Sequence, residues 1–195
     1  MSTQVSIIAG LGNPEERYAQ TLHNAGFWIV DEIARRWDAR FKYEKRFGAD
    51  IGKVTIGANE VWLVKPQSYM NLSGGPVRAI LDYYRLPLEQ LLVAHDDIDL
   101  PPGTVRLKRS GGHGGHNGLR DLIQHCGKDF TRLRIGVGHP GQKDQVTGYV
   151  LKRAAGDVDA ILQKSVVEAV DIIPVLIERG LDEAMKALHT KSEQQ

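Results

Sequence analysis

Short apolar runs closed by turn residues alternate along the chain with stretches whose apolar positions recur at helical spacing. Residues 5–10 are apolar apart from Ser6 and lead into Gly10-Leu11-Gly12-Asn13-Pro14, the pattern of a buried strand entering a tight loop. Asn24 stands where it can cap a helix carrying Phe27, Val30, Ile33 or Ala34, and Trp37 on one stripe. After a basic, irregular stretch at 35–46, residues 52–56 and 61–64 flank Gly57-Ala58-Asn59 as a hairpin, and Pro66 ends its second strand. Tyr69-Met70-Asn71 falls in a loop ahead of Gly75-Pro76, where a helix starts with Val77, Ile80, Leu81 and Tyr84 as its apolar stripe.

Residues 91–94 read as a buried strand that stops at His95-Asp96-Asp97. Residues 104–108 and 132–137 alternate, putting Arg106 and Lys108 on one face of the first strand and Arg132 and Arg134 on one face of the second. Between them, 110–118 is too rich in glycine for a regular element, and a helix follows at 119–126. A long helix opens near Asp157 with Val158, Ile161, Leu162, Ser165, Val166 and Ala169 on its stripe, and Pro174 kinks or ends it. Asp182 can cap a final short helix, and residues 190–195 read as a loose polar tail. Strands and helices interleave without repeat or linker, so one α/β domain over residues 1–195 with a mixed sheet is expected. The hairpin together with longer helical crossovers makes the sheet mixed.

Composition excludes several classes. With 42% hydrophobic and 25% charged residues the chain matches a soluble globular protein rather than a disordered, collagenous or membrane-spanning one. The first apolar run, broken by Ser6 and Gly10 and preceded by no basic residue, is too short for a secretion signal or a membrane span. Cys126 is the only cysteine, which fits a reducing compartment. A cytoplasmic location is the expectation. The net charge of +1 conceals an asymmetry: residues 100–153 hold ten Lys/Arg against three Asp/Glu. That segment can contact a polyanion on one face, or be a solvated face balanced by charge elsewhere.

Candidate chemistry gathers where strands stop. Asn13, Asn71 and Asp96 follow three of them, and such ends line the usual crevice of open α/β sheets. His23 lies near the first of these loops, and imidazole is the side chain best suited to accept a proton near neutral pH. Asp96 could fix its tautomer; equally, Asp96 could cap a turn and His23 a helix. His113-x-x-His116, with His95 and nearby carboxylates, could hold a metal, but the surrounding glycines give it no rigid frame. There is no G-x-S-x-G elbow, and Cys126 reads as a small core residue. Gly10-Leu11-Gly12 lacks the third glycine of a dinucleotide fingerprint. The cations near the glycine loop suit either an extended phosphate backbone or a charge-protected edge strand.

Six segments together resemble bacterial peptidyl-tRNA hydrolase: Gly10-Leu11-Gly12-Asn13-Pro14, His23-Asn24-Ala25-Gly26, Met70-Asn71-Leu72-Ser73-Gly74, His95-Asp96-Asp97-Ile98-Asp99-Leu100-Pro101, Gly112-His113-Gly114-Gly115-His116-Asn117-Gly118 and Arg132-Leu133-Arg134-Ile135-Gly136-Val137-Gly138. The resemblance runs from Val5 to about Leu188. It implies a twisted mixed sheet surrounded by helices. It also implies a monomer that hydrolyses the ester between a peptide and the 3′ ribose of tRNA, without cofactor, metal, covalent intermediate or membrane contact. The family's base falls on His23, its supporting carboxylate on Asp96, and the asparagine that tells blocked from free aminoacyl groups on Asn13. Substrate contacts fall on Tyr18, Tyr69 (where relatives often carry Phe), Asn71 and Asn117, and tRNA-phosphate contacts on Lys108, Arg134 and Lys143. The alternative is an RNA-binding protein of the same fold that has lost catalysis; the presence of His23, Asp96, Asn13, Asn71 and Asn117 argues against it.

Overall fold

A computed structural model describes residues 4–191. Seven strands form one sheet in the order β2-β3-β4-β1-β5-β7-β6. These are β1 (Ile7–Gly10), β2 (Lys42–Glu44), β3 (Ala49–Ile56), β4 (Asn59–Pro66), β5 (Leu91–Asp97), β6 (Val105–Arg109) and β7 (Thr131–Gly136). The central strands β4, β1, β5 and β7 run parallel, while β2 and β3 at one edge and β6 at the other are antiparallel to their neighbours. The hairpin falls where expected, with Gly57-Ala58 at its tip and Gly57 at φ +61°.

Helices cover both faces of the sheet. Buried residues of α1 (Ala25–Arg36), α5 (Gly156–Asp171), α6 (Ile173–Arg179) and α7 (Leu181–Lys191) pack with Ile8, Leu92, Ala94, Leu133 and Ile135. On the opposite face, α2 (Gly74–Tyr84) and α3 (Asn117–Cys126) pack with Ile7, Ala9, Leu91 and Val93. The strict alternation of β5 between the two groups is the period-2 pattern of a strand buried on both sides. One α/β domain results, its twisted mixed sheet surrounded by helices as expected.

Local expectations differ in instructive ways. Strand β2 lies within the stretch read as irregular; its Lys42 and Tyr43 are exposed, so no apolar signal marks this edge strand. Asn24 precedes α1, but its side chain makes no cap. Strand β5 continues through His95 and Asp96 to Asp97 rather than stopping before them. On α5, Ile161 is exposed, although Leu162, Ser165, Val166 and Ala169 are buried as their spacing indicates. Pro174 sits in the first turn of α6, after α5 has ended. Asp182 lies inside the first turn of α7 rather than capping it. That helix also takes in Thr190 and Lys191, so the tail does not begin at Thr190; residues 192–195 lie outside the described part.

Gly26 sets the depth at which α1 docks. A methyl group there would overlap the Ala94 carbonyl oxygen and the Leu11 main chain, and one on Gly10 would overlap the Gly26 carbonyl. This close approach carries His23, just ahead of α1, to the end of β5. Gly26→Ala should therefore overpack the interface, costing about 1–3 kcal/mol. A melting temperature equal to wild type would show that α1 can move aside at no cost.

Candidate active site

The parallel strands end at a cavity of about 720 Å³ whose wall includes Asn13, Tyr18, His23, Tyr69, Asn71, Asp96, Lys108, Asn117 and Arg134. Nine of the ten sequence-designated site residues thus share one wall. The tenth, Lys143, sits in a 3₁₀ turn, Lys143–Gln145, just before the wall residues Val146 and Thr147.

His23 occupies a 3₁₀ turn, Leu22–Asn24, that runs directly into α1. Its Nδ1 lies 2.9 and 3.0 Å from the two Asp96 carboxylate oxygens. Both side chains are buried. A carboxylate only accepts, so Nδ1 carries the proton and Nε2 keeps its lone pair. Burial alone would depress the His23 pKa, but the Asp96 charge and hydrogen bond outweigh it and the net shift is upward. For Asp96, burial favours the neutral acid; the adjoining His23 and His116 overcome it and hold the carboxyl well below the usual carboxylate range.

His116 is the contributor the sequence did not reveal. It sits just before α3, where Nδ1 accepts from the Gly118 and Leu119 amides and caps the helix. Since Nδ1 accepts, Nε2 bears the proton and donates to Asp96 Oδ1 at 2.9 Å. Asp96 is thus held between two imidazoles whose ring centroids are 4.7 Å apart. His-Asn-Gly ahead of an apolar helix was the available cue, but the contact to Asp96 spans 20 residues and no local spacing encodes it.

Among the described residues, potential metal-ligating groups converge only at His23, Asp96 and His116, with ligand atoms within 4.8 Å of one another. The combination of His95, His113 and His116 raised from the sequence is not brought together: the His113 ring instead accepts from the Gly115 amide. A metal at His116 Nε2 would have to expel its proton while Nδ1 stays engaged by two amides. That favours the hydrogen-bonded arrangement. Cys126 is half-buried at the end of α3, and burial pushes its thiol up to about 11, so it supplies little thiolate.

Asn13 is clamped from two sides. Its main-chain N–H donates to Asn24 Oδ1 at 2.9 Å, and its carbonyl accepts from Asn24 Nδ2 at 3.0 Å. The Asn24 side chain is thereby committed to this pairing and not to a helix cap. Asn13 Oδ1 accepts from the Met70 amide at 2.8 Å, which leaves its Nδ2 as a donor. Asn117 Oδ1 likewise accepts from Arg120 Nη1 at 3.0 Å, leaving its amide nitrogen. At the rim, the Tyr69 hydroxyl donates to Glu15 Oε1 at 2.6 Å, Glu15 also pairs with Arg17, and Arg17 lies over the Tyr18 ring. This strap joins the two aromatic walls through Glu15, which the sequence did not single out.

The basic stripe is only partly a free surface. Arg132 is buried over the Phe130 ring and donates to the carbonyls of Gly111 and Gly112. It therefore fastens the glycine loop and does not belong to an exposed row of cations. Arg134 pairs with Asp97 at 2.8 Å yet remains on the cavity wall, and Lys108 is exposed there.

An α/β domain that holds a buried imidazole against a buried carboxylate, beside a cavity at the carboxyl ends of parallel strands, has the layout of an enzyme active site. The chain belongs to the peptidyl-tRNA hydrolase family: the model of that family matches residues 7–195. The peptidyl-tRNA hydrolase of Halorhodospira halophila is 52% identical over 184 residues, 94% of this chain and 95% of that one. Its counterpart from Vibrio vulnificus is 45% identical over 192 residues, 97% and 98% of the two chains. A crystal structure of peptidyl-tRNA hydrolase from Acinetobacter baumannii superposes with a TM-score of 0.93 at 41% identity, covering 96% of each chain.

Proposed function

We propose that the chain hydrolyses the ester joining a peptide to the 3′ ribose of tRNA, with His23 as general base. The observation that carries this is the pairing of His23 Nδ1 with both oxygens of a buried Asp96, which leaves Nε2 to take a proton from attacking water. Asp96 keeps the tautomer and stabilises the imidazolium. The amide groups of Asn13, Asn71 and Asn117 hold peptide carbonyls and the developing oxyanion, with Asn13 and Asn117 as donors. Tyr18 and Tyr69 flank the peptide. No step calls on a covalent enzyme intermediate, a metal or a cofactor. A chelator should therefore leave turnover unchanged, and loss of activity that a divalent ion restores would refute this.

Lys108, Arg134 and Lys143 are assigned to tRNA phosphate. Each lost phosphate contact lowers the slope of log affinity against log salt by about 0.7–0.9. Alanine at any of them should weaken full peptidyl-tRNA and flatten its salt dependence, while sparing a peptide ester of a short 3′ fragment. Equal damage to both substrates would place these charges in the fold or the catalytic centre. No helix among the described residues is long and apolar enough to cross a membrane. Family resemblance supports a monomer acting in the cytoplasm.

A further inference from the structure

Strand β5 outruns its neighbour. The last β1 pair is Gly10 with Ala94, and the Leu11 amide still donates to the Ala94 carbonyl. Beyond that point the chain leaves the sheet through Gly12 and Asn13, whereas β5 continues to Asp97 against β7. Carbonyls two apart on a strand face the same neighbour, so the Asp96 carbonyl points to the side that β1 has vacated. The Asp97 carbonyl, on the other side, accepts from the Val137 amide. A buried carbonyl without a partner is costly. Here the partner is the preceding side chain: His95 Nδ1 lies 2.8 Å from the Asp96 carbonyl oxygen.

That carbonyl can only accept, so His95 carries its proton on Nδ1. Nε2 is left as a buried lone pair with no protein partner among the described residues. The ring stands edge-on to His116, with centroids 5.3 Å apart. Three imidazoles therefore converge on one residue, two on the carboxylate of Asp96 and one on its main chain. Burial, reinforced by the neighbouring His116, holds the His95 pKa down to about 4, so the ring stays neutral while the site works.

We propose that His95 is a positioning residue: its Nδ1–H anchors the Asp96 main chain where the sheet no longer does, and so keeps the carboxylate aligned on both His23 and His116. This rests on the reading of His23 and Asp96 as the base pair. His95 itself transfers no proton.

Two substitutions separate the donor from the ring. His95→Phe keeps an aromatic ring beside His116 and loses the donor. His95→Asn loses the ring but places an amide N–H where Nδ1 was. With peptidyl-tRNA as substrate, His95→Phe should lower kcat about 10-fold or more, bounded near the 10²-fold that an ångström of misplacement can cost, with KM little changed. His95→Asn should recover most of the loss. Wild-type kcat in both, or an active Phe variant beside an impaired Asn variant, would overturn the donor role. Those results leave the base assignment standing, since that is tested separately, at His23 itself. Should neither variant fold, ¹⁵N NMR of the unmodified protein decides. The expected His95 signature near neutral pH is a protonated Nδ1 and a bare Nε2; the opposite tautomer overturns the proposal.

Discussion

Replacing His23 with Ala is expected to lower kcat for peptidyl-tRNA hydrolysis by about 10²–10⁴-fold with little change in KM. A general base acts on the proton that leaves water in the transition state, so its removal should spare ground-state binding. The peptide and tRNA contacts are assigned to other residues: Asn13, Asn71 and Asn117 on the cavity wall, and Lys108, Arg134 and Lys143 at and beyond it. Removing the imidazole also leaves Asp96 bonded to His116, so the carboxylate is not stranded and the variant should fold. A His23→Ala enzyme with near wild-type kcat would remove His23 from the mechanism.

Asp96→Asn should be nearly as damaging, for a reason specific to this geometry. His116 cannot change tautomer without giving up two amide donors at Nδ1. His23 Nδ1 faces both carboxylate oxygens. Whichever way an asparagine side chain is turned, one of those positions becomes an N–H group aimed at the Nδ1–H of His23. His23 must then either turn its Nδ1–H wholly onto the one remaining oxygen, which it shares with His116 and which carries no charge to stabilise an imidazolium, or move its proton to Nε2, where it can no longer accept one from water. The expected loss in kcat is about 10²–10⁴-fold, with the fold retained because the amide is nearly isosteric. An unchanged rate in Asp96→Asn would make Asp96 structural.

Much of this site could be read from the chain because its parts sit at the ends of apolar runs. Asn13, Asn71 and Asp96 were legible as polar residues at strand ends, and His23 as an imidazole beside one of them. What escaped depends on contacts between distant segments. Alternation assigned Arg132 to a face shared with Arg134, but it could not show that the guanidinium folds back onto the glycine loop. Asn24 has the chemistry of a helix cap, and its capture by Asn13 is a choice between two local partners that only the packed loop settles. His116 was visible as a histidine in a flexible glycine run, whereas its actual constraint comes from capping α3 and meeting Asp96. Strand β2 exists by pairing with β3 at an exposed edge, so no hydrophobic periodicity marks it.

The central claim is that neutral His23, tuned by Asp96, is the group whose ionisation controls catalysis. Its pKa is raised overall, so the neutral, competent form should be lost as pH falls through a value above the ordinary 6.5. The direct measurement is the pH dependence of kcat/KM for peptidyl-tRNA set beside an NMR titration of the His23 ring in the free enzyme. The expected result is one and the same pKa above 6.5 in both, with turnover declining on the acid side. A kinetic limb that departs from the His23 titration, or that persists unchanged in His23→Ala, would contradict the claim.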